Sequence, residues 1–318
     1  AILAQAWFRA GPPRGMGPPP AAEVEDGSGG LKKVVLRHAS GASAEVYLWG
    51  ATLTSYRSPS GKENIFVSPG AIFDGKKAIR GGVPVVFPQF GQPDKAMPQH
   101  GFARVSEWGL GSLYDSGDAV CASFQLRDSE ATRAKWSNAF ILDYLVTLRA
   151  DSLSMRLRVT NVGDIPFDFQ ALLHTYLSVP DVAGIGLAGL QGLSYMDKVA
   201  GGGVKVEERE EVTIPGFTDS VYIGEVAGAK EVKVASRGGA TLYTTVNSAV
   251  MRAGAPLTRD MAKPCDVVVW NPYEANSPGD LPPPAFQGFA CVEPGLVAEA
   301  HCLAPKTSAE LSQTIFPA

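Results

Sequence analysis

LSMRLRVTN, residues 153–161, sets Met155, Leu157 and Val159 against Ser154, Arg156, Arg158 and Thr160. Apolar and polar residues alternate at a period of two, the spacing by which a half-buried strand turns one face to a core and the other to water. Similar short stretches rich in β-branched and aromatic residues lie on both sides. Upstream they are KKVVLRH at 32–38, AEVYLWG at 44–50, ATLTSYR at 51–57, VPVVFPQF at 83–90, AVCASFQLR at 119–127 and FILDYLVTLR at 140–149. Downstream they are PFDFQALLHTY at 166–176, VKVEEREEVTI at 204–214, TLYTTV at 241–246, DVVVWNP at 266–272 and FQGFACVEPG at 286–295. Helical signals are confined to SEATRAKW at 129–136, where Ser129 can cap the first turn, and a brief turn near 74–79. The 35 glycines and 24 prolines supply many turns between strands. This pattern predicts an all-β fold, a large antiparallel sandwich or barrel, and such folds run past 200 residues as one domain.

No break in composition divides residues 31–318, so a single domain is expected there. Residues 1–30 carry Arg9 and Arg14 but no acid before Glu23, and read as a flexible tail or a processed targeting remnant outside the fold. A cytoplasmic or organellar location, the plastid included, is the matching expectation. With 45% hydrophobic and 19% charged residues the chain is too apolar to be disordered, and it has no apolar run near the ~18 residues of a membrane span. The 28 basic and 32 acidic residues leave a formal charge of −4, which excludes a broadly basic nucleic-acid surface. Cys121, Cys265, Cys291 and Cys302 lack CxxC spacing and are expected to be reduced and buried. Gly184, Gly186 and Gly189 satisfy GxGxxG, but no helix follows and the nearest matching acid, Asp197, comes only 13 residues after Gly184. A glycine-rich sheet connection is the better reading than a dinucleotide site.

AIRGGVPVVFPQFG at 78–91 and PQHGFARVSEW at 98–108 read as an ordered rim, because their prolines do not suit a central ladder. Arg80 and Arg104, with Arg57, stand near His100, and guanidinium forks suit a phosphate dianion, so the ligand implied is anionic. His174 lies among apolar neighbours in PFDFQALLHTYL, and Glu293 ends the apolar run FACVEPG. An imidazolium is a competent acid and a shielded carboxylate a competent base. The two are expected to face one cavity across a gap, set to protonate and deprotonate two ends of one substrate.

Taken together, AIRGGVPVVFPQFG, HGFAR, LLHTYL, DVVVWNP and CVEPG closely resemble the hexose-6-phosphate mutarotase branch of the aldose 1-epimerase family, from about Leu31 to the C-terminus. The resemblance implies an antiparallel β-sandwich of the galactose mutarotase type with a sugar-binding cleft on one sheet. It implies His174 as general acid, Glu293 as general base, His100 against the sugar oxygens, and Arg80, Arg104 and Arg57 as phosphate contacts. It further implies a hexose 6-phosphate substrate, interconversion of α and β anomers, a monomer, and no cofactor, metal, nucleic acid or membrane. Two departures stand out. YEANSPGDLPPPAFQ, at 273–287, leaves no basic residue between Trp270 and Glu293, and Ser220 stands where relatives carry an arginine. The alternatives are an epimerase of unphosphorylated aldoses, a sugar-binding protein without turnover, or a glycoside-processing enzyme, the last lacking a second carboxylate in a matching motif.

Overall fold

A computed structural model describes residues 21–224, 230–236, 241–252 and 265–317. Four strands open the chain: β1 (Ala22–Asp26), β2 (Lys32–Arg37), β3 (Ser43–Tyr47) and β4 (Leu53–Arg57). They form an antiparallel sheet in that order. After β5 (Val85–Val86) come β6 (Gly109–Asp115), β7 (Val120–Arg127), the helical turn α1 (Glu130–Arg133), β8 (Phe140–Leu148) and β9 (Leu153–Asn161). The middle of the chain supplies β10 (Phe167–Leu173), β11 (Tyr176–Ser178), β12 (Ile185–Ala188), β13 (Ser194–Asp197), β14 (Gly203–Val206), β15 (Glu211–Thr213) and β16 (Thr218–Tyr222). It ends with β17 (Lys230–Ser236), β18 (Thr241–Arg252), β19 (Asp266–Asn271), β20 (Phe289–Leu303) and β21 (Thr307–Phe316).

Two large antiparallel sheets make the body of an all-β sandwich. The outer sheet runs β15-β12-β17-β18-β21-β9-β8-β7-β6; the cleft sheet runs β14-β13-β16-β19-β20-β10-β5, with β11 also paired to β20. The outer sheet obeys its alternation. Met155, Leu157 and Val159 are buried, while Arg156 and Arg158 reach Glu310 of β21 on the other face. At its centre the cleft sheet is buried on both faces, and β19 and the first half of β20 are accordingly near-continuous in apolar residues, while β13 and β14 at its edge are half-buried or exposed. Val267 and Val269 enter the main core, whereas Val268 joins Val86, Leu172, Val221 and Val297 in a second apolar cluster.

Several expectations change. Residues 22–26 do not belong to a tail: AEVED pairs with β2, and Arg37 binds both Glu23 and Glu25 across that ladder. Residues 1–20 lie outside the described residues. The stretch 204–214 is not one strand, because β14 and β15 join different sheets. Between them the buried Glu207 accepts hydrogen bonds from Arg209 and from the Tyr222 hydroxyl, which turns the chain. The GxGxxG stretch contains β12 rather than a plain connection, and Cys121 and Cys302 are not buried. Ser129 does cap α1, in a reciprocal capping box with Thr132. No helix among the described residues is long and apolar enough to cross a membrane.

Candidate active site

Strand β20 pairs with β10 at Leu172↔Gly295 and with β11 at Tyr176↔Cys291, in one unbroken register. Between those pairs the ladder opens, and the register sets His174 directly opposite Glu293. Side chains two apart share a face, so His174 stands beside Tyr176, and Glu293 beside Cys291. Thr175, on the opposite face, is fixed by bonds from its hydroxyl to the Leu173 carbonyl and to Gln313 Oε1. The His174 N–H donates to the Pro84 carbonyl. The imidazole stacks on Tyr176 at 4.9 Å between centroids and meets the edges of Trp270 and His100.

This packing places His174 Nδ1 3.4 Å from Glu293 Oε1. No ring-wide gap separates the two; imidazole and carboxyl are neighbours on one wall. Glu293 is 1% exposed, and its Oε2 has no hydrogen-bond partner among the described residues. Burial, then repulsion from Asp219, holds its carboxyl well above the usual range, with Lys198 opposing. Burial also holds His174 well below the usual imidazole range, reinforced by the neighbouring His100 and by the guanidinium charges of Arg104 and Arg80. Both shifts favour the uncharged forms.

The pair opens on a cavity of about 320 Å³, a size suited to a small polar ligand. His100, Arg80, Arg104, Trp270 and Val268 line it with the pair. His100 is held with φ +64°, and its Nδ1 accepts the Gly91 N–H. Its neighbour must be glycine: Gly101 has φ +73°, and a Cβ there would lie 2.0 Å from the Phe87 carbonyl oxygen. Burial, with Arg104, Lys198 and Arg80 nearby, pulls the His100 imidazole down to about 3. It is therefore a neutral hydrogen-bonding group.

The two arginines differ. Arg80 is anchored, with Nε donating to Asp280 Oδ1 at 2.8 Å and Nη1 reaching the Tyr176 hydroxyl at 3.4 Å. Burial pulls its pKa down, but Tyr176 and Asp280 outweigh that and hold the guanidinium charged. Arg104 donates to the Gln99 carbonyl, its buried Nε has no partner, and no carboxylate pairs with it among the described residues. Burial, then Arg80, draws its pKa down to about 10. Arg57 does not join them: it is exposed, pairs with Glu63 at 3.4 Å and does not line the cavity.

Other contributors carry no motif of their own. The segment 273–287 brings no base, yet it supplies Asp280 to hold Arg80 and sets Asn276 and Pro278 on the cavity wall. Lys198 and Asp219 also line the cavity. The Lys198 N–H donates to the Asp219 carbonyl, and its ammonium sits 4.0 Å over the Phe90 ring. Lys198 follows β13 directly, and nothing in its local sequence marks it as a cavity residue.

Comparison with known proteins agrees with this fold. A protein of Cenchrus ciliaris named "Putative glucose-6-phosphate 1-epimerase" is 32% identical over 298 residues, 91% of this chain and 85% of its own length. One of the same name from Escherichia coli is 30% identical, with 90% of each chain covered. A solved structure from Salmonella typhimurium, described as a "putative mutarotase", superposes with a TM-score of 0.79 at 27% identity, covering 94% of both chains. A galactose mutarotase related enzyme from Lactobacillus acidophilus shares the fold at a TM-score of 0.68 and 14% identity, over 90% of this chain and 97% of that one. The family model described as aldose 1-epimerase matches residues 32–315, and the chain belongs to that family.

Proposed function

We propose that this protein interconverts the α and β anomers of glucose 6-phosphate by opening and reclosing the pyranose ring. The observation that carries this reading is the buried His174–Glu293 pair, 3.4 Å apart, in one cavity with Arg80 and Arg104. The names of the Cenchrus and Escherichia relatives support the same substrate. The two oxygens that exchange protons, O5 and the C1 hydroxyl, are bonded to one carbon. A side-by-side acid and base suits them better than groups on opposite walls.

Glu293, as carboxylate, takes the C1 hydroxyl proton. His174, as imidazolium, gives its proton to O5, the C1–O5 bond breaks and the aldehyde forms. Rotation about C1–C2 exposes the other carbonyl face. O5 then attacks C1 while His174 recovers its proton and Glu293 returns one to the new hydroxyl. Each transfer contributes about 10²–10⁴ in rate.

The resting pair favours neutral imidazole beside protonated carboxyl, so a proton must pass from Glu293 to His174 before the first step. A phosphate dianion on Arg80 and Arg104 cancels part of the positive charge that disfavours imidazolium. The phosphate therefore contributes to kcat as well as to binding. Anomer exchange measured by magnetization transfer on glucose 6-phosphate and glucose, side by side, tests this. Higher kcat and kcat/KM for the phosphosugar are expected. Equal values for both sugars would indicate a general aldose 1-epimerase, and no exchange of either a binding protein.

A further inference from the structure

The face that carries the acid–base pair holds a third donor that ring opening leaves unused. We propose that His174, Cys291 and Glu293 form an inhibitory site for a thiophilic divalent cation of the zinc class. Among the described residues this is the one group of three metal-ligating side chains, and their donor atoms all lie within 4.8 Å of one another. Strand alternation puts Cys291 on the Glu293 side of β20, and its Sγ stands 3.8 Å from His174 Nδ1. His174 Nδ1 lies 3.4 Å from Glu293 Oε1.

The two separations from His174 Nδ1 match a tetrahedral zinc. Bond lengths of about 2.3 Å to sulfur and about 2.0–2.2 Å to nitrogen and oxygen place sulfur and nitrogen about 3.6 Å apart, and nitrogen and oxygen about 3.4 Å apart. A cation at the centre of the three requires Cys291 and Glu293 to draw together from a separation within 4.8 Å, with His174 Nδ1 already beside both. Three protein ligands leave a fourth position for water or a sugar oxygen, as in open zinc sites. Soft thiolate with imidazole selects zinc-like ions over magnesium or calcium.

Charge balance favours the same conclusion. Binding releases the Cys291 proton, and that of Glu293 where present, to solvent. Thiolate and carboxylate then neutralise the cation, so Arg80 and Arg104 across the cavity face no net added charge. The other cysteines lack this setting: Cys265 donates to the carbonyls of Asp266 and Gly295, and Cys121 to the Thr147 hydroxyl. A bound cation occupies the imidazole nitrogen and carboxylate oxygen, so proton transfer stops. That inhibition rests on the proposed ring-opening function; the binding itself does not.

The test uses the full chain with Cys121→Ser and Cys302→Ser, which removes the two less buried thiols as competing ligands. Titrated with Co²⁺, it should bind one equivalent with a thiolate-to-cobalt charge-transfer band and tetrahedral visible absorption, both lost when Zn²⁺ is added. Zn²⁺ should abolish anomer exchange and EDTA restore it. Adding Cys291→Ser should erase the charge-transfer band and raise the Zn²⁺ inhibition constant more than about 100-fold, the upper range for losing an outer-shell partner alone. Each variant is referred to its own metal-free rate, and Cys291→Ala serves if the serine variant does not fold. Absence of the band in the folded parent, or its survival without Cys291, would overturn the site, whether or not the protein exchanges anomers. An unchanged Zn²⁺ inhibition constant without Cys291 would overturn the inhibitory role.

Discussion

The outer sheet and the cleft sheet obey opposite rules. On the outer sheet, apolar groups meet the core, the charged Arg156, Arg158 and Glu310 lie on the face away from it, and the buried polar Gln313 and Asn161 are hydrogen-bonded. The cleft sheet instead buries a carboxyl, an imidazole and a thiol side by side, and leaves Glu293 Oε2 without a partner. A buried polar atom without a partner costs about 1–3 kcal/mol. The outer sheet, together with the common core, supports stability. The cleft face spends some of it to hold groups in the uncharged forms from which proton transfer starts.

Breaking the cleft side should give the largest effect. Glu293→Gln keeps the shape of the side chain and removes its proton capacity, so kcat/KM for glucose 6-phosphate should fall about 10²–10⁴-fold. Circular dichroism should show an intact fold. A folded variant that exchanges anomers at the parental rate would remove Glu293 from the mechanism.

The matching break on the outer sheet is Leu157→Ala. Leu157 is fully buried, and truncation should cost about 2–5 kcal/mol in chemical denaturation. The kcat/KM of the folded fraction should stay near parental, because Leu157 does not line the cavity. A loss of activity without a loss of stability would erase the contrast between the sheets.

How much of this was legible follows the same division. Alternation in 119–127, 140–149 and 153–161 located β7, β8 and β9 almost to the residue, because one face of each is wet or polar. The cleft sheet was harder. VPVVFPQF yields only the two-residue β5, and PFDFQALLHTY breaks at His174 and Thr175, where the ladder opens for the site. β1, β6, β12, β13, β16, β17 and β21 were not foreseen. The resemblance named His174, Glu293, His100, Arg80 and Arg104, all of which line the cavity, and also Arg57, which does not. Lys198 and Asp280 were not named, since they sit in connections without a motif, and Asp219, beside the noted Ser220, was given no role.

A smaller effect should separate the two arginines. Arg104 has no carboxylate partner among the described residues, while Arg80 shares its charge with Asp280. Arg104→Ala should therefore lower kcat/KM for glucose 6-phosphate about 10–100-fold, from a charged hydrogen bond worth about 1.5–3 kcal/mol. Free glucose should lose much less. Equal proportional losses for both sugars would mean that Arg104 holds the cavity together rather than the phosphate. Arg80→Ala carries a further cost, because it strands the largely buried Asp280, so its melting temperature should fall as well.

The smallest effect tests whether the cleft face costs stability at all. Glu293 has its folded pKa raised, chiefly by burial, so it favours the folded state fully only below its unfolded pKa. That contribution is lost as pH rises toward the raised folded value, because the unfolded carboxyl ionises while the folded one resists. His174 has the opposite sign. Its folded pKa is depressed, so its contribution is complete above about 6.5, the ordinary imidazole value, and is lost as pH falls toward the folded value. Glu293→Gln removes the first dependence and leaves the second. The variant should thus melt above the parent at neutral pH, by about 2–4 °C for each kcal/mol regained, with the gap widening between pH 5 and 8. Because His174 remains in both proteins, its titration largely cancels in the difference. The same mutation that destroys exchange should then stabilise the fold, as expected where an active-site group is held against its solvation preference. A gap that closes as pH rises would show that Glu293 ionises easily in the folded protein, and that the cavity does not enforce the protonated carboxyl on which the proposed proton relay depends.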